Sequence, residues 1–123
     1  MALPDSHHKV IPTTVRSTTL DSLVPPYEHV ILLKVDVQGH ELQVLKGAAN
    51  ILARPGLEAP FLVYEEDERL LQAGNSSSRE ILHFLEGLGY KYCRKEGTDR
   101  HCWKVNPRAE PHNTATGATK RMQ

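Results

Sequence analysis

The stretch KVDVQGHELQVLKGA, residues 34–48, leads from the end of an apolar segment through Asp, Gly, His and Glu into a helical pattern. Residues 30–37 are apolar on both alternating faces except at Lys34 and Asp36, which is typical of a strand covered on both sides. A stripe of apolar residues at helical spacing follows: Leu42, Leu45, Ala49 and Leu52. The stretch therefore predicts a strand-to-helix joint, which in an open parallel sheet lies at the rim where ligands bind.

A second short buried strand is expected at residues 61–64, directly before Glu65, Glu66 and Asp67. A strand, a helix and a strand in close succession form a βαβ unit, whose two strands should be adjacent and parallel. Residues 90–95 and 101–105 should pair as a hairpin around a turn near residue 98. The sequence thus predicts an α/β fold with a C-terminal antiparallel hairpin at the edge of a parallel sheet.

Capping side chains predict two helix starts. Thr19 can cap a short turn over residues 20–24, which two prolines then end. Ser77 and Glu80 form a capping-box pattern before a helical stripe of apolar residues: Ile81, Phe84, Leu85 and Leu88. Upstream of both, residues 13–18 are mostly β-branched and predict only a short extended segment.

Composition limits the classes of partner. Fifteen basic residues balance fifteen acidic ones, so no overall field favours nucleic acid or an anionic membrane. No apolar run approaches the ~20 residues that span a bilayer, and the N-terminus lacks the apolar region of a secretory signal. We expect a cytoplasmic protein without nucleic-acid or membrane partners. In such a setting Cys93 and Cys102 should be free thiols, although a turn centred between Gly97 and Thr98 places them opposite each other.

The two ends of the chain differ from its centre. Residues 1–12 mix Pro, His and polar groups without a period and predict a flexible N-terminus. Residues 106–123 contain almost nothing that can be buried and predict a disordered tail. His7 and His8 lack a second pair of ligands at metal spacing, so we expect no metal site.

Four blocks in order carry a resemblance to a known family: TLDSL at 19–23, LKVDVQGHELQVLKGA at 33–48, VYE at 63–65, and the capped helix that ends in GY at 89–90. Together they resemble the C-terminal half of an FkbM-type methyltransferase, over residues 13–105. The resemblance implies S-adenosylmethionine as cofactor, methylation of a hydroxyl oxygen, and a partial Rossmann-like (class I methyltransferase) sheet.

The chain also departs from that family. Such an enzyme holds its cofactor with a Gly-rich turn after its first strand and an acidic residue after its second, yet all eight glycines here fall at residue 39 or later. We therefore expect a truncated chain that binds S-adenosylmethionine undetectably at micromolar concentration and turns over no acceptor. Without upstream strands, an edge of the strand at 30–37 should be unpaired and allow self-association.

Four residues of the rim are candidates for catalysis. Methyl transfer to an alcohol often needs a base that takes the hydroxyl proton, and a carboxylate at the strand rim can do so. The resemblance places Asp36 near donor and acceptor, so Asp36 is also a cofactor-binding candidate. Glu41, in the first turn of the next helix, and Glu65, at the end of the neighbouring strand, complete the set, with His40 as an alternative base.

Each candidate has a structural interpretation as well. Asp36 can bond to loop N–H groups, and Glu41 can complement the helix dipole. His40 can be a solvated loop residue, and Glu65 a solvated charge beside other acidic residues. Gly39, the second cofactor-binding candidate, suits a tight turn that needs positive φ.

Two classes of function follow from these patterns. The first is an S-adenosylmethionine-dependent methyltransferase whose acceptor is a small-molecule or glycan hydroxyl. The alternative is a non-catalytic Rossmann-like remnant that acts as a binding or assembly module. Loops set the acceptor preference, and the sequence does not identify them.

Overall fold

A computed structural model describes residues 9–109 of the chain. The four strands of its single described sheet are β1 (Leu32–Val35), β2 (Phe61–Glu65), β3 (Tyr92–Glu96) and β4 (Asp99–Trp103). They lie in the order β1-β2-β4-β3, with β1 parallel to β2 and the other pairs antiparallel. The adjacent parallel pair and the hairpin are confirmed. The sheet is nevertheless mixed, because only one of its three strand pairs is parallel.

Five helices accompany the sheet in the described part of the chain: α1 (Leu20–Leu23), α2 (Glu41–Lys46), α3 (Ala49–Leu52), α4 (Glu68–Ala73) and α5 (Ser78–Gly87), with a 3-10 turn at Gly56–Glu58. The caps predicted for α1 and α5 are confirmed. The Thr19 side chain accepts a hydrogen bond from Ser22 N, and that of Ser77 accepts one from Glu80 N. Residues 13–18 form no strand.

The helix expected across residues 42–52 is two helices, α2 and α3, and α1 contacts the break between them. The Gly47 carbonyl accepts from Asp21 N at 3.0 Å. The Asp21 carboxylate in turn accepts from Asn50 N at 2.9 Å and from Ile51 N at 3.1 Å, so it caps α3 from a distant point in the sequence. A local periodicity cannot reveal a cap that comes from another segment.

Sequence patterns missed α4. Its first turn is capped by Asp67, whose carboxylate accepts from Arg69 N at 3.0 Å and from Leu70 N at 3.4 Å. Leu71 is the buried residue of this helix. With so short a helix, one buried side chain leaves no stripe for a periodicity search to detect.

The core lies between one face of the sheet and the helices. Leu62 and Tyr64 of β2 and Cys102 of β4 are fully buried there against residues of four helices: Leu42, Leu45, Ile51, Leu52, Leu71, Ile81 and Leu85. On the opposite face Phe61 stacks on Trp103 with ring centroids 4.7 Å apart, and both remain partly exposed.

The expectation that β1 is covered on both sides is wrong. Ile31 is 76% exposed and Leu32 53% exposed. The physical reason is that helices cover only one face of β1, where Leu33 is half-buried and Val35 is buried. Leu32 and Lys34 lie on the uncovered face, and Ile31 precedes the strand.

The expectation of free thiols is also wrong, since Cys93 and Cys102 form a disulfide. The register of the hairpin pairs the two residues directly, with Cα atoms 4.1 Å apart, as a turn at Gly97 and Thr98 requires. The argument for reduced thiols used only the expected surroundings of the chain, whereas the pairing of β3 with β4 brings the sulfur atoms together.

Some expectations concern residues that the structure does not describe. Residues 1–8, with His7 and His8, and residues 110–123 of the expected tail are not described. Within residues 9–109, no group of three or more His, Cys, Asp or Glu side chains is placed to hold a metal ion. No helix in that range is long and apolar enough to cross a membrane.

Candidate functional site

Two carboxylates meet where the parallel strands end. Asp36 directly follows β1, and Glu65 is the last residue of β2, whose pairing with β1 matches Val35 to Tyr64. Gln38, in the turn after β1, joins them: its Nε2 donates to Asp36 Oδ1 at 3.0 Å and to Glu65 Oε2 at 3.0 Å. The sequence predicted Asp36 and Glu65 as partners on one rim, and the structure brings these two together.

The surroundings of Glu65 favour its protonated form. The neighbouring Asp36 carboxyl, then partial desolvation, and then the negative charges of Asp36, Glu41 and Asp67 raise the pKa of Glu65 to about 7. Two neighbouring carboxyls repel each other when both are charged, so Glu65 keeps its proton to a higher pH than an isolated carboxyl does. Glu65 can therefore exchange a proton near neutral pH.

Glu41 does not share the hydrogen bonds of this pair, because its carboxylate bonds to a backbone N–H. Its side chain is buried, with 1% of the residue exposed, and both carboxylate oxygens accept from Gly39 N, at 3.1 Å and 3.0 Å. The carboxylate thus closes the turn that starts α2, and its charge also suits the N-terminal end of that helix. These contacts favour the structural interpretation of Glu41, while its predicted catalytic role stays a prediction.

Gly39 has the positive φ that the turn was expected to require, at +101°. A Cβ atom at this position would lie 2.2 Å from the carbonyl oxygen of Leu70 in α4. Gly74, which follows α4, approaches Gly39 almost as closely, with 2.5 Å between its hypothetical Cβ and the Gly39 carbonyl oxygen. Any other residue at 39 would push α4 away from the turn. Its predicted contact with a cofactor stays a prediction.

His40 occupies the N-cap position of α2 and is exposed. Its side chain makes no capping hydrogen bond, although its carbonyl accepts from Val44 N at 3.2 Å. The structure therefore places His40 beside the carboxylate pair in sequence but gives it no contact that would prepare it as a base.

Glu66, which the sequence analysis treated only as a neighbouring charge, is buried and paired. Arg100 donates to both of its carboxylate oxygens, at 2.9 Å and 2.8 Å, and Lys95 Nζ lies 3.3 Å away. Burial alone would raise the pKa of Glu66, but the hydrogen bonds and charges of Arg100 and Lys95 hold that pKa below its ordinary value. The ion pairs attach the hairpin to the end of β2.

Sequence reasoning missed Gln38 as well as Glu66. The partners of Glu66 lie about thirty residues away on the hairpin, so no local signal could reveal them. Gln38 does have a local signal, namely a long polar side chain directly before a glycine in a strand-to-helix turn, but this pattern alone does not identify what the side chain contacts.

A wide cavity lies at the other end of the sheet. It has a volume of about 750 Å³ and is lined by residues that precede β1 and β2: Pro26, Tyr27, Glu28, His29, Arg54, Pro55, Gly56, Leu57 and Glu58. The Asp36–Glu65 pair is not part of it. The titratable chemistry and this cavity therefore belong to opposite ends of the parallel strands.

Comparison with known families finds one that matches most of the chain. A family model described as the methyltransferase FkbM domain matches residues 3–92, which is more than half of the 123-residue chain. No curated protein and no solved structure matches the chain. The matched segment contains both strands of the rim, the turn between β1 and α2, and α4 and α5.

Proposed function

Because the chain belongs to the FkbM methyltransferase domain family, we propose that it takes part in S-adenosylmethionine-dependent methylation of a small-molecule or glycan hydroxyl. The observation that carries this proposal is the Asp36–Glu65 pair at the strand rim, where the pKa of Glu65 is raised to about 7. Family membership favours this function over a non-catalytic remnant.

A hydroxyl oxygen must lose its proton as it bonds to the methyl carbon. A carboxylate whose pKa lies near the working pH is well matched to that step, since it is partly deprotonated before transfer and holds the proton afterwards. Glu65 has this property, because the adjacent carboxyl of Asp36 raises its pKa. In the proposed reaction Glu65 is the base and Asp36 its partner.

The negative charge at the rim suits the positively charged groups of the methyl donor. S-adenosylmethionine supplies a methyl group on a positively charged sulfonium, and it also carries an ammonium group. The exposed carboxylate of Asp36 can attract either charge. Gly39, whose N–H is already bonded to Glu41 and whose Cα faces Leu70, would support the site by shaping the turn.

The absence of a Gly-rich turn after a strand from these 123 residues supports a second part of the proposal. Residues beyond this chain, on the same polypeptide or on another, would complete the cofactor site. Residues 1–123 alone are then expected to bind S-adenosylmethionine too weakly for calorimetry at micromolar concentration. The same chain joined to an upstream Gly-rich strand-turn-helix should gain binding.

The decisive experiment measures transfer of a labelled methyl group from S-adenosylmethionine to a panel of sugars, lipid headgroups and small alcohols. Both the short and the extended chain are assayed, each with and without Asp36→Asn. We expect transfer by the extended chain and a loss of ~10²-fold or more in its Asp36→Asn variant. Full activity of that variant would remove Asp36 from the mechanism. Inactivity of every form on every acceptor would favour the non-catalytic remnant instead.

The exposed edge of β1 supports the expected self-association of residues 1–123. Pairing of two β1 edges would satisfy backbone groups that have no neighbouring strand among the described residues, and it would bring the exposed Ile31 and Leu32 side chains beside those of the other copy. Ile31→Lys should shift the chain toward monomer in light scattering, whereas Leu23→Lys, at an exposed position on α1, should not. A monomeric native chain would contradict this proposal. The cytoplasmic location stays a prediction.

A further inference from the structure

Gln38 stands at a position whose backbone suits glycine better. Its φ is +52°, in the left-handed region that residues with a Cβ seldom adopt, and Gly39 follows with φ +101°. Strained backbone of this kind persists where surrounding contacts stabilise it, and it is concentrated at functional sites. Glutamine at this position has a side chain whose contacts glycine could not make.

The contacts of the side chain show what that contribution is. Both bonds from Nε2, to Asp36 Oδ1 and to Glu65 Oε2, are 3.0 Å long. A primary amide has two N–H groups, so each carboxyl takes one of them. This also sets the orientation of the amide, because its oxygen would be repelled by two carboxylate oxygens in the same place.

We propose that Gln38 is the positioning residue of the rim: its amide holds the Asp36 and Glu65 carboxyls side by side, so that the two carboxyls act together. The inference rests on the proposed function for its catalytic meaning. The two hydrogen bonds from Gln38, however, are present in the chain without substrate. Glu65 is the proposed base, and Gln38 acts through it rather than on the acceptor.

The charges around Glu65 explain why a donor is needed to hold the two carboxyls together. Groups that face it come from the neighbouring strands, from the turn and from the start of α4: Lys34, Asp36, Glu41, Asp67 and Asp99. Four of these five are acidic. Because Asp36 is exposed and Glu65 is only partly buried, mutual repulsion would move both carboxylates outward into water if no donor held them.

The test is a carbon-13 NMR titration of the Asp and Glu carboxyls in residues 1–123, comparing the native chain with Gln38→Gly. Glycine relieves the backbone at this position, so the variant should fold at least as well while losing the amide. Loss of the amide N–H alone would raise the pKa of Glu65, because that bond favours the charged carboxylate. Separation from Asp36 removes the largest cause that raises this pKa, so we expect the pKa of Glu65 to fall from about 7 toward its ordinary value of 4.5. An unchanged or a raised pKa in Gln38→Gly would overturn the proposal.

Asn75→Gly is the matched control. Asn75 is exposed and has φ +62°, so this substitution makes the same backbone change away from the carboxyl pair. It should leave the titration of Glu65 as in the native chain. Gln38→Asn provides a second variant, since Asn tolerates the left-handed region but is one methylene too short to reach both carboxyls. It should also lower the pKa of Glu65, and a native titration in it would count against the proposal.

The titration needs neither methyl donor nor acceptor, so its outcome is separate from that of the transfer assay. A lowered pKa without transfer in any form would reject the proposed function and leave the role of Gln38 in the pair intact. Where transfer is measured, Gln38→Gly should move the rise of the rate with pH to lower pH. A purely structural role for Gln38 would lower the rate without moving that profile.

Discussion

Glu65 and Glu66 are neighbours in sequence at the end of β2, yet the fold gives their carboxyls opposite surroundings. Glu65 is partly exposed on the rim beside Asp36, and its pKa is raised to about 7. Glu66 is 7% exposed and bound by Arg100 and Lys95, and its pKa is lowered. The more buried of the two carboxyls is therefore the one that favours its charged form.

The difference shows that partners can outweigh burial. Desolvation raises the pKa of both carboxyls, but in Glu66 two cations oppose it, whereas around Glu65 a second carboxyl adds to it. One residue attaches the hairpin to the sheet, and the other is available for proton exchange. The following experiments test this division between a structural and a chemical carboxyl.

The largest effect is expected on methyl transfer. In a form of the protein that transfers methyl groups, Glu65→Gln should reduce kcat by ~10²–10⁴-fold, because the amide cannot accept the hydroxyl proton. Circular dichroism should show that the fold is retained. Glu58→Gln, an exposed carboxylate at the other end of the sheet, serves as the control and should retain activity. Transfer by Glu65→Gln at the native rate would end the assignment of Glu65 as the base.

The next effect concerns the free energy of unfolding. Arg100→Met removes the bidentate partner of Glu66 and leaves its buried carboxylate with Lys95 alone, at a cost on the order of 3 kcal/mol in urea denaturation. Arg94→Met is the control on the same hairpin. Its ion pair with Glu96 has both side chains about half exposed, so it should cost less than about 1 kcal/mol. Equal costs for the two variants would mean that the buried ion pair of Glu66 stabilises the fold no more than an exposed pair does.

The disulfide should have a somewhat smaller effect on the same quantity. It joins the strands that carry Lys95 and Arg100, and it closes a loop with a sequence separation of nine residues. Reduction should lower the free energy of unfolding by about 2 kcal/mol, a value typical of a short loop. The titration of Glu65, on the other side of the sheet, should not change.

A Cys93→Ala/Cys102→Ala variant is the control for that experiment, and its stability should not respond to reductant. Intact-mass measurement after alkylation without reductant should show no label on either cysteine. Two labels would show that the cysteines are free.

The smallest effect is the dependence of stability on pH, and it should have opposite signs at the two carboxyls. The folded pKa of Glu65 lies above its ordinary value of 4.5, so its stabilising contribution is present below that pH and is lost as pH rises through about 7. The folded pKa of Glu66 is lowered, so its contribution is present above 4.5 and is lost as pH falls below that value.

Urea denaturation of the native chain, Glu65→Gln and Glu66→Gln at several pH values measures both contributions. Relative to the native chain, Glu65→Gln should be least stable in acid, and Glu66→Gln should be least stable at neutral pH. The same trend in both variants would contradict the comparison.

Elements with a strong local pattern were predictable. The start of α5 follows from Ser77, the turn before α2 requires positive φ at Gly39, and the apolar runs that became β1 and β2 form a parallel pair. The same patterns failed where another segment intervenes. Asp21 caps a second helix within one apparent helix, and helices cover only one face of β1, which leaves Leu32 exposed.

The candidate site was likewise predicted only in part from the sequence. By itself the sequence predicted that Asp36 and Glu65 lie at the ends of neighbouring parallel strands, although it extended the first strand to residue 37 and the structure ends β1 at Val35. Only the tertiary structure decided that Gln38 joins these carboxyls, that Glu41 turns inward to Gly39, and that the hairpin cations bind Glu66 rather than Glu65. The physical reason is that pKa and side-chain contacts depend on groups brought close by folding, and most of those groups lie far apart along the chain.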